Sequence, residues 1–153
     1  MKKEEYAKRV EEIKHSLYRV AYGYMNEEAA AMDALDEAIY KGYLHRKKMK
    51  QQEYFKTWMT RIVINECLQK IRKDKRLVFL EQIPDEEVTE LDHLPLKEAL
   101  RHLPDELHTI ILLRYFGGYT LAEVSEILNV PLSTVAGREK RALSLLRIEL
   151  RDE

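Results

Sequence analysis

Apolar residues recur every three or four positions in both halves of the chain, and this spacing constrains the fold more than any other feature. In the first half the pattern runs through Val10, Ile13, Leu17 and Val20, which lie on one face of a helix. Only 5 of the 153 residues are glycine and 4 are proline, which is low for a β-sandwich or barrel with a turn after each short strand. The sequence therefore predicts an all-α protein.

The formal net charge of -1 conceals an uneven distribution of charge along the chain. The first 76 residues carry a net charge of +6, the next 24 carry −6 and the last 53 carry −1. The acidic stretch 77–95 contains Pro84 and Pro95 and has no sustained helical period, as is typical of a linker. We therefore expect two small helical domains, 1–76 and 96–153, joined by an acidic linker.

Capping residues indicate where several helices begin. Asn26 is expected to cap the second helix, because Glu27 and Glu28 follow it and the helix dipole favours acidic residues in the first turn. A third helix is predicted from about residue 51 to residue 73. In the second half of the chain, Pro104 suits the first turn of a helix because that position needs no amide hydrogen.

The segment 120–146 has the pattern of a helix-turn-helix. Thr120 and Glu123 match a capping box, and Asn129 tolerates the left-handed conformation that a tight turn needs. A helix of this kind binds DNA by inserting its N-terminal end into the major groove. Hydroxyl and basic side chains lie near the start and on the exposed side of the second helix: Ser133, Thr134, Arg138, Lys140 and Arg141. The sequence predicts that they contact DNA; a plain helical hairpin with solvated charges is the alternative.

An acidic edge is predicted on the second helix. Asp33, Asp36 and Glu37 are spaced so that they lie together beside Leu35 and Ile39. An amphipathic patch of this kind suits a protein interface, whereas ordinary solvent-exposed charges are the alternative interpretation.

Several motifs, in order along the chain, resemble segments of bacterial RNA polymerase sigma factors, especially those of the extracytoplasmic-function (ECF) type. The acidic segment DALDEAI (33–39) is similar to the family segment that docks on polymerase. The segment FKTWMTRIVIN (55–65), with the basic residues that follow it, resembles the −10 recognition and melting segment. The motifs IILLRYFGGYTLAEV (110–124) and VPLSTV (130–135) resemble the C-terminal domain that reads the −35 element.

The resemblance implies a promoter-specificity subunit that binds core RNA polymerase and promoter DNA, reads both promoter elements and assists strand opening. It implies no catalytic activity, no cofactor and no metal, and a cytoplasmic location; an anti-sigma factor is a further candidate partner. Insertion into a membrane is not expected, because apolar runs such as 110–113 are far shorter than the roughly 20 residues that span a bilayer. The resemblance assigns polymerase binding to Asp33, Leu35, Asp36, Glu37 and Ile39.

The implied −10 and melting segment combines aromatic and basic residues. Aromatic side chains can stack on unpaired bases, worth roughly 1–3 kcal/mol per base, and basic residues hold the backbone. The residues assigned to this contact are Arg46, Lys47, Lys48, Tyr54, Phe55, Lys56, Trp58, Arg61, Asn65, Arg72, Lys73 and Arg76. The helical spacing of Phe55 and Trp58 is also typical of core residues. A solvated helix end is the alternative interpretation of the basic residues at 72–76.

The recognition helix departs from the family pattern at three positions. Ala136 and Gly137 stand where the family often has a basic and a small polar residue, and Glu139 stands where it often has leucine. The departures imply either weaker binding to the −35 element or a different sequence preference.

Two other classes of protein were considered. A stand-alone helix-turn-helix regulator would need neither the basic aromatic segment nor the acidic edge. A di-metal helical enzyme would use the pairs Glu12 with His15 and Glu90 with His93, which have the spacing found in carboxylate-bridged bundles. The single cysteine, Cys67, has no partner motif and is interpreted as a core thiol.

Overall fold

The computed structural model describes residues 1–81 and 94–151, and within these ranges the chain is helical and contains no strand. The all-α prediction is confirmed. The helices are α1 (Lys3–Met25), α2 (Glu28–Leu44), α3 (Phe55–Glu81), α4 (Leu94–His102), α5 (Asp105–Ile111), α6 (Leu121–Leu128) and α7 (Leu132–Arg151). Short 3-10 turns at Arg46–Lys48 and Gln52–Tyr54 connect α2 to α3, and a π-helical turn, Leu112–Phe116, continues α5.

Helices α1, α2 and α3 pack against one another and form the first half of the molecule. Their apolar faces meet in a core in which Leu17, Leu35, Met59 and Val63 have no exposed surface. Burial of a side chain of this size contributes about 1.5–3 kcal/mol, so the three- and four-residue spacing of the apolar positions directs the packing.

The boundary between α1 and α2 differs from the predicted one. Asn26 ends α1 in a left-handed conformation with φ 58°, and its amide donates to the carbonyl oxygen of Tyr22 at 2.8 Å. Helix α2 begins after Glu27, whose side chain makes no capping hydrogen bond. The prediction that Asn26 caps α2 was therefore wrong: with two residues between the helices, asparagine is used to end the first one.

Four further boundaries are shifted. Helix α3 begins at Phe55 rather than near residue 51, and it continues to Glu81, so residues 77–81 of the expected linker are helical. Residues 94 and 95 already belong to α4, and the rest of the linker, 82–93, lies outside the described residues. Pro104 is the N-cap of α5, one position before the predicted first turn.

The predicted helix-turn-helix is formed by α6, a three-residue turn and α7. Both bonds of the capping box are present: Glu123 N donates to Thr120 Oγ1 at 3.1 Å, and Thr120 N donates to Glu123 Oε1 at 3.0 Å. Asn129 ends α6 in the left-handed conformation, with φ 55° and ψ 48°. Helices α4 and α5 cover the inner side of α7 and complete the second half of the molecule.

The two halves share one hydrophobic core, in which the π-helical turn and Tyr119 pack against α1 and α3. Gly23 allows the π-helical turn to approach α1 closely, because a Cβ atom at this position would lie 2.6 Å from Cδ2 of Leu112. Tyr24 on α1 shares a hydrogen bond of 3.0 Å with Thr109 on α5. Among the described helices, none combines the length and the apolar character needed to cross a membrane.

Candidate nucleic-acid interface

The outer face of α7 is exposed over its first three turns. Val135, Ala142 and Leu146 are buried on the inner face. The opposite face presents Ser133, Ala136, Gly137, Lys140, Arg141 and Ser144, and we refer to these six residues as the recognition face. Lys140 and Arg141 take part in no ion pair with any residue in the described part of the chain, so both charges face solvent. A helix with this distribution can enter a major groove.

Two charged residues at the flanks of α7 are held by the rest of the domain. Arg138 Nη2 lies 3.6 Å from Glu106 Oε2 on α5. Glu139 accepts a hydrogen bond of 3.2 Å from Arg114 Nε and one of 3.0 Å from the hydroxyl group of Tyr115. Arg138 therefore lies at the edge of the recognition face, and Glu139 faces the π-helical turn. Thr134, beside the buried Val135, is half-buried.

The loop before α3 carries exposed cations. Lys47 and Lys48 are exposed, whereas Arg46 folds back over the ring of Tyr43, with Cζ 4.1 Å from the ring centroid. Arg46 Nη1 also donates to the carbonyl oxygen of Tyr43 at 2.9 Å. The two lysines are thus available to an incoming phosphate, and Arg46 is already engaged within the loop.

The aromatic residues at the start of α3 differ in how deeply they are buried. Tyr54 is 48% exposed, whereas Phe55 is 3% exposed and belongs to the core. Trp58 is half-buried, with its ring centroid 6.0 Å from that of Phe55. Tyr54 is thus the most accessible of the three rings for stacking on an unpaired base, Trp58 is partly accessible, and Phe55 packs beside Trp58 from the core.

Lys56 and Arg61, both predicted to contact DNA, hold the second half of the molecule against α3. Arg61 Nε donates to the carbonyl oxygen of Ile127 at 2.8 Å, and Arg61 Nη2 donates to that of Glu126. Lys56 Nζ lies 3.2 Å from Glu123 Oε2 and 4.6 Å from the ring centroid of Tyr119. These partners are more than 60 residues away in the chain, which is why the sequence did not indicate them.

The carboxyl group of Glu123 takes part in both the capping box and this contact. Burial raises its pKa, but the hydrogen bond from the Thr120 amide and the nearby Lys56 ammonium outweigh burial and hold the pKa below the ordinary value of a glutamate. Beneath it, Tyr119 is buried, and its hydroxyl shares a hydrogen bond of 2.7 Å with Thr60 Oγ1. The cap of the helix-turn-helix is therefore also part of the contact with α3.

Beyond Arg61, the described part of α3 carries further exposed polar and basic side chains. Asn65, Arg72 and Lys73 are exposed on α3 beyond Arg61. Arg76 belongs to α3, but its side chain lies outside the described residues. The exposed face of α3 thus continues, after Arg61, as a polar and basic surface.

The acidic edge of α2 is exposed, with apolar neighbours other than those predicted. Asp33, Asp36 and Glu37 are exposed; Leu35 is fully buried in the core and Ile39 is half-buried. Three exposed apolar residues that were not predicted form, together with Asp36, a row with a four-residue spacing. We call them the apolar row: Met32, Tyr40 and Leu44. That spacing was the signal that could have identified them.

Beside the acidic edge, a groove of about 460 Å³ runs between α1 and α2. Asp36, Ile39 and Tyr40 line its α2 side, and Tyr6 and Lys14 are among the residues on its α1 side. Tyr6 also anchors α1 to α2, because its hydroxyl donates to the carbonyl oxygen of Ile39. The groove, the acidic edge and the apolar row together form one amphipathic surface.

Within the described residues, neither Cys67 nor the Glu12 and His15 pair of the di-metal alternative shows a feature of reactive chemistry. Cys67 is fully buried, as predicted, and burial raises the pKa of its thiol to about 12. Glu12 and His15 are exposed, and Glu90 and His93 lie outside the described residues. No cluster of three or more potential metal ligands occurs within the ranges 1–81 and 94–151.

Comparison with known proteins identifies the family. Residues 9–77 match the family described as Sigma-70 region 2, and residues 99–147 match Sigma-70, region 4. The RNA polymerase sigma factor SigV of Bacillus subtilis is 33% identical over 149 residues, covering 92% of this chain and 87% of that protein. The chain belongs to the ECF sigma factors.

Similarities of this sigma factor to other known proteins agree with the family assignment. The ECF RNA polymerase sigma factor SigW of Bacillus subtilis is 28% identical over 163 residues, covering 94% of this chain and 87% of that protein. In fold, the sigma factor is similar to RpoE of Bartonella quintana, solved with the anti-sigma factor NepR, with a TM-score of 0.75 and 20% identity over 96% of this chain and 97% of that one. It is also similar to CnrH, solved with the cytosolic domain of CnrY, with a TM-score of 0.76 and 18% identity over 99% and 91% of the two chains.

Membership in the family establishes the general function. The sigma factor is a subunit of RNA polymerase that directs transcription initiation, and its partners are core polymerase and promoter DNA. Members of the family are initiation factors rather than enzymes. The predictions of family, fold and general function are confirmed, and the alternatives of a stand-alone regulator and a di-metal enzyme are set aside.

Proposed function

We propose that the two halves of this sigma factor recognise different promoter elements. Helices α1–α3 dock on core polymerase through the acidic edge of α2, and the loop before α3 and the outer face of α3 contact the −10 element and assist strand opening. Helix α7 contacts the −35 element through its recognition face. This activity takes place in the cytoplasm, where bacterial polymerase meets DNA, and an anti-sigma factor stays a predicted partner.

The observation that carries the proposal is the segregation of charge among the exposed helix faces. The outer face of α2 is acidic and apolar, whereas the loop before α3 and the recognition face of α7 carry exposed lysine and arginine. Because DNA phosphates repel an acidic surface and attract a basic one, α2 suits a protein partner and the other two surfaces suit DNA.

The residues proposed for the −10 contact differ in availability. Lys47, Lys48 and Tyr54 are exposed, so they can meet DNA as the structure stands. Lys56 and Arg61 can reach phosphates only after their bonds to Glu123 and to the end of α6 are broken. Phe55 is assigned to support of the neighbouring aromatic residues, because its ring is enclosed by the core.

The docking assignment is tested by reversing charge on α2. Asp33→Lys with Glu37→Lys is expected to abolish binding to core polymerase, measured by size-exclusion chromatography of the mixed proteins, and to leave the far-UV circular dichroism unchanged. Glu12→Lys with Glu98→Lys makes the same change in net charge at exposed positions outside this surface, and it is expected to bind core as the unmodified protein does. Unchanged binding by the α2 variant would remove the acidic edge from the docking site.

The DNA assignments are tested with reconstituted holoenzyme. In-vitro transcription is measured on one promoter and on two derivatives in which the −35 or the −10 element is replaced. We expect a strong loss with either replacement. Transcription that is indifferent to the −35 element would overturn the role of α7, and indifference to the −10 element would overturn that of α3.

A further inference from the structure

We propose that Gly137 and Ala136 determine the base preference of this sigma factor at the −35 element, by presenting a bare stretch of helix that approaches the bases closely. The inference rests on the proposed role of α7 in −35 recognition and adds the residues that select the sequence. In this arrangement Lys140 and Arg141 anchor α7 to phosphates or a guanine edge, while the bare stretch meets an A·T pair.

Four of the five glycines of the chain have a structural reason within the fold. A Cβ atom at Gly23, Gly42 or Gly117 would lie 2.5–2.6 Å from a neighbouring side chain, and Gly118 has a φ of +75°. At Gly137 a Cβ atom would meet nothing within 4 Å, and no positive φ requires glycine. Glycine weakens a helix relative to alanine, so packing and backbone geometry give no reason for it here.

The position of Gly137 on α7 explains why a glycine stands there. Successive residues of a helix are rotated by about 100°, so Gly137 lies nearly opposite the buried residues Val135, Ala142 and Leu146. It falls between Ser133 and Lys140 on the exposed side, at the centre of the recognition face. Glycine is the residue that allows a backbone to come closest to a ligand, and here the ligand is the base edges of the groove floor.

Ala136 gives the bare stretch its chemical preference. Its methyl group is exposed beside Gly137, and neither side chain can donate or accept a hydrogen bond. In the major groove an apolar side chain of this kind discriminates by contact with the methyl group of thymine. The pair therefore favours A·T over G·C at the position it faces.

The buried inner face of α7 directs the bare stretch outward. Contacts on both flanks agree with this orientation: Arg138 lies beside Glu106 on one side, and Arg114 and Tyr115 donate to Glu139 on the other.

The test uses holoenzyme reconstituted from core polymerase and the full-length chain, transcribing a promoter pool with a randomised −35 element. Gly137→Gln places a long side chain at the centre of the face and is expected to change the base preference at one or two positions and to lower transcription from the preferred sequence about tenfold or more. Ile148→Gln is the matched control, because Ile148 is exposed on α7 but lies beyond the recognition face, eleven residues further on and about 16 Å along the helix. It is expected to keep the unmodified preference.

A second measurement addresses the methyl contact. Each thymine of the preferred −35 element is replaced singly by deoxyuridine, which removes only the methyl group. For the unmodified chain, one replacement is expected to lower transcription about fourfold, the effect of one buried methyl group. Ala136→Gly is expected to be insensitive to that replacement.

The possible results distinguish failure of this inference from failure of the proposed −35 role. A Gly137→Gln profile identical to that of the unmodified protein would overturn the inference and leave the −35 role of α7 intact. A flat preference in the unmodified protein would overturn the −35 role itself. Equal sensitivity of the unmodified chain and Ala136→Gly to every deoxyuridine replacement would overturn the assignment of Ala136.

Discussion

Arg61 on α3 caps the end of α6, donating from Nε to the carbonyl oxygen of Ile127 at 2.8 Å and from Nη2 to that of Glu126. The last carbonyl groups of a helix have no partner within the helix and carry partial negative charge, so an arginine is well suited to bind them. A residue predicted from sequence to contact DNA is therefore part of the contact between the two halves of the molecule.

Replacement of Arg61 by alanine is expected to loosen α6 from α3. Hydrogen bonds from a charged group contribute about 1.5–3 kcal/mol, and the partial exposure of Arg61 reduces this to roughly 1 kcal/mol. Hydrogen exchange of the α6 amides should accelerate accordingly. Arg72→Ala, which removes an exposed arginine from the same helix, is expected to leave exchange in α6 unchanged. Equal protection of α6 in both variants would contradict a capping role for Arg61.

The apolar row of α2 is expected to contribute to polymerase binding together with the acidic edge. Tyr40→Ser with Leu44→Ser removes two side chains that are more than half exposed, so the fold should be retained. Buried tyrosines are frequent hot spots of interfaces, and affinity for core polymerase should fall about tenfold or more, measured by fluorescence anisotropy of a labelled chain. Ile148→Ser, at an equally exposed apolar position on α7, is the control. If Ile148→Ser weakens binding to core polymerase as much as the α2 variant does, the apolar row has no special role.

The capping box should contribute measurably to stability. Thr120→Ala removes the hydroxyl that accepts from the Glu123 amide and should lower the free energy of unfolding by about 1 kcal/mol. Urea denaturation followed by circular dichroism measures the loss. Ser144→Ala changes an exposed hydroxyl on α7 and should cost little by comparison.

The stabilisation from Glu123 should depend on pH in a defined direction. Because its pKa in the folded protein is lower than in the unfolded chain, the unfolded chain binds the proton more tightly. The contribution is therefore fully present above pH 4.5 and is lost as the pH falls through the folded-state pKa. Glu123→Gln should lower the free energy of unfolding at pH 7, and its difference from the unmodified protein should shrink at progressively lower pH. A difference that stays constant between pH 7 and pH 3 would rule out this ionisation as the cause.

Gly137→Ala is expected to stabilise the protein although it alters the recognition face. The added methyl group meets no neighbour within 4 Å, and alanine favours a helix over glycine by about 1 kcal/mol. Thermal unfolding should therefore occur at a higher temperature. Gly23→Ala is the opposite case, since its methyl group would lie 2.6 Å from Cδ2 of Leu112 and should destabilise the contact between α1 and the π-helical turn. A Gly137→Ala variant less stable than the parent would show a packing role for that glycine.

Local sequence patterns were sufficient for the features that depend on neighbouring residues. The capping box of Thr120 and Glu123 and the exposed acidic edge of α2 follow from spacings of three or four residues, and the left-handed Asn129 follows from its residue type; the structure contains each of them. The same rules failed at Asn26, because a polar residue between two helices can end one or begin the other, and a spacing rule does not decide between them.

By itself, the sequence determined the helical class, the helix-turn-helix and the family, because these depend on periodicity and on motifs whose members are close together in the chain. Only the tertiary structure decided which functional residues face outward. Leu35 and Phe55 turn into the core, Lys56 and Arg61 bind α6, and Gly137 stands exposed without a neighbour. The physical reason is that burial and long-range hydrogen bonding depend on which helix faces meet, and residues such as Arg61 and Ile127 meet across 66 positions of sequence.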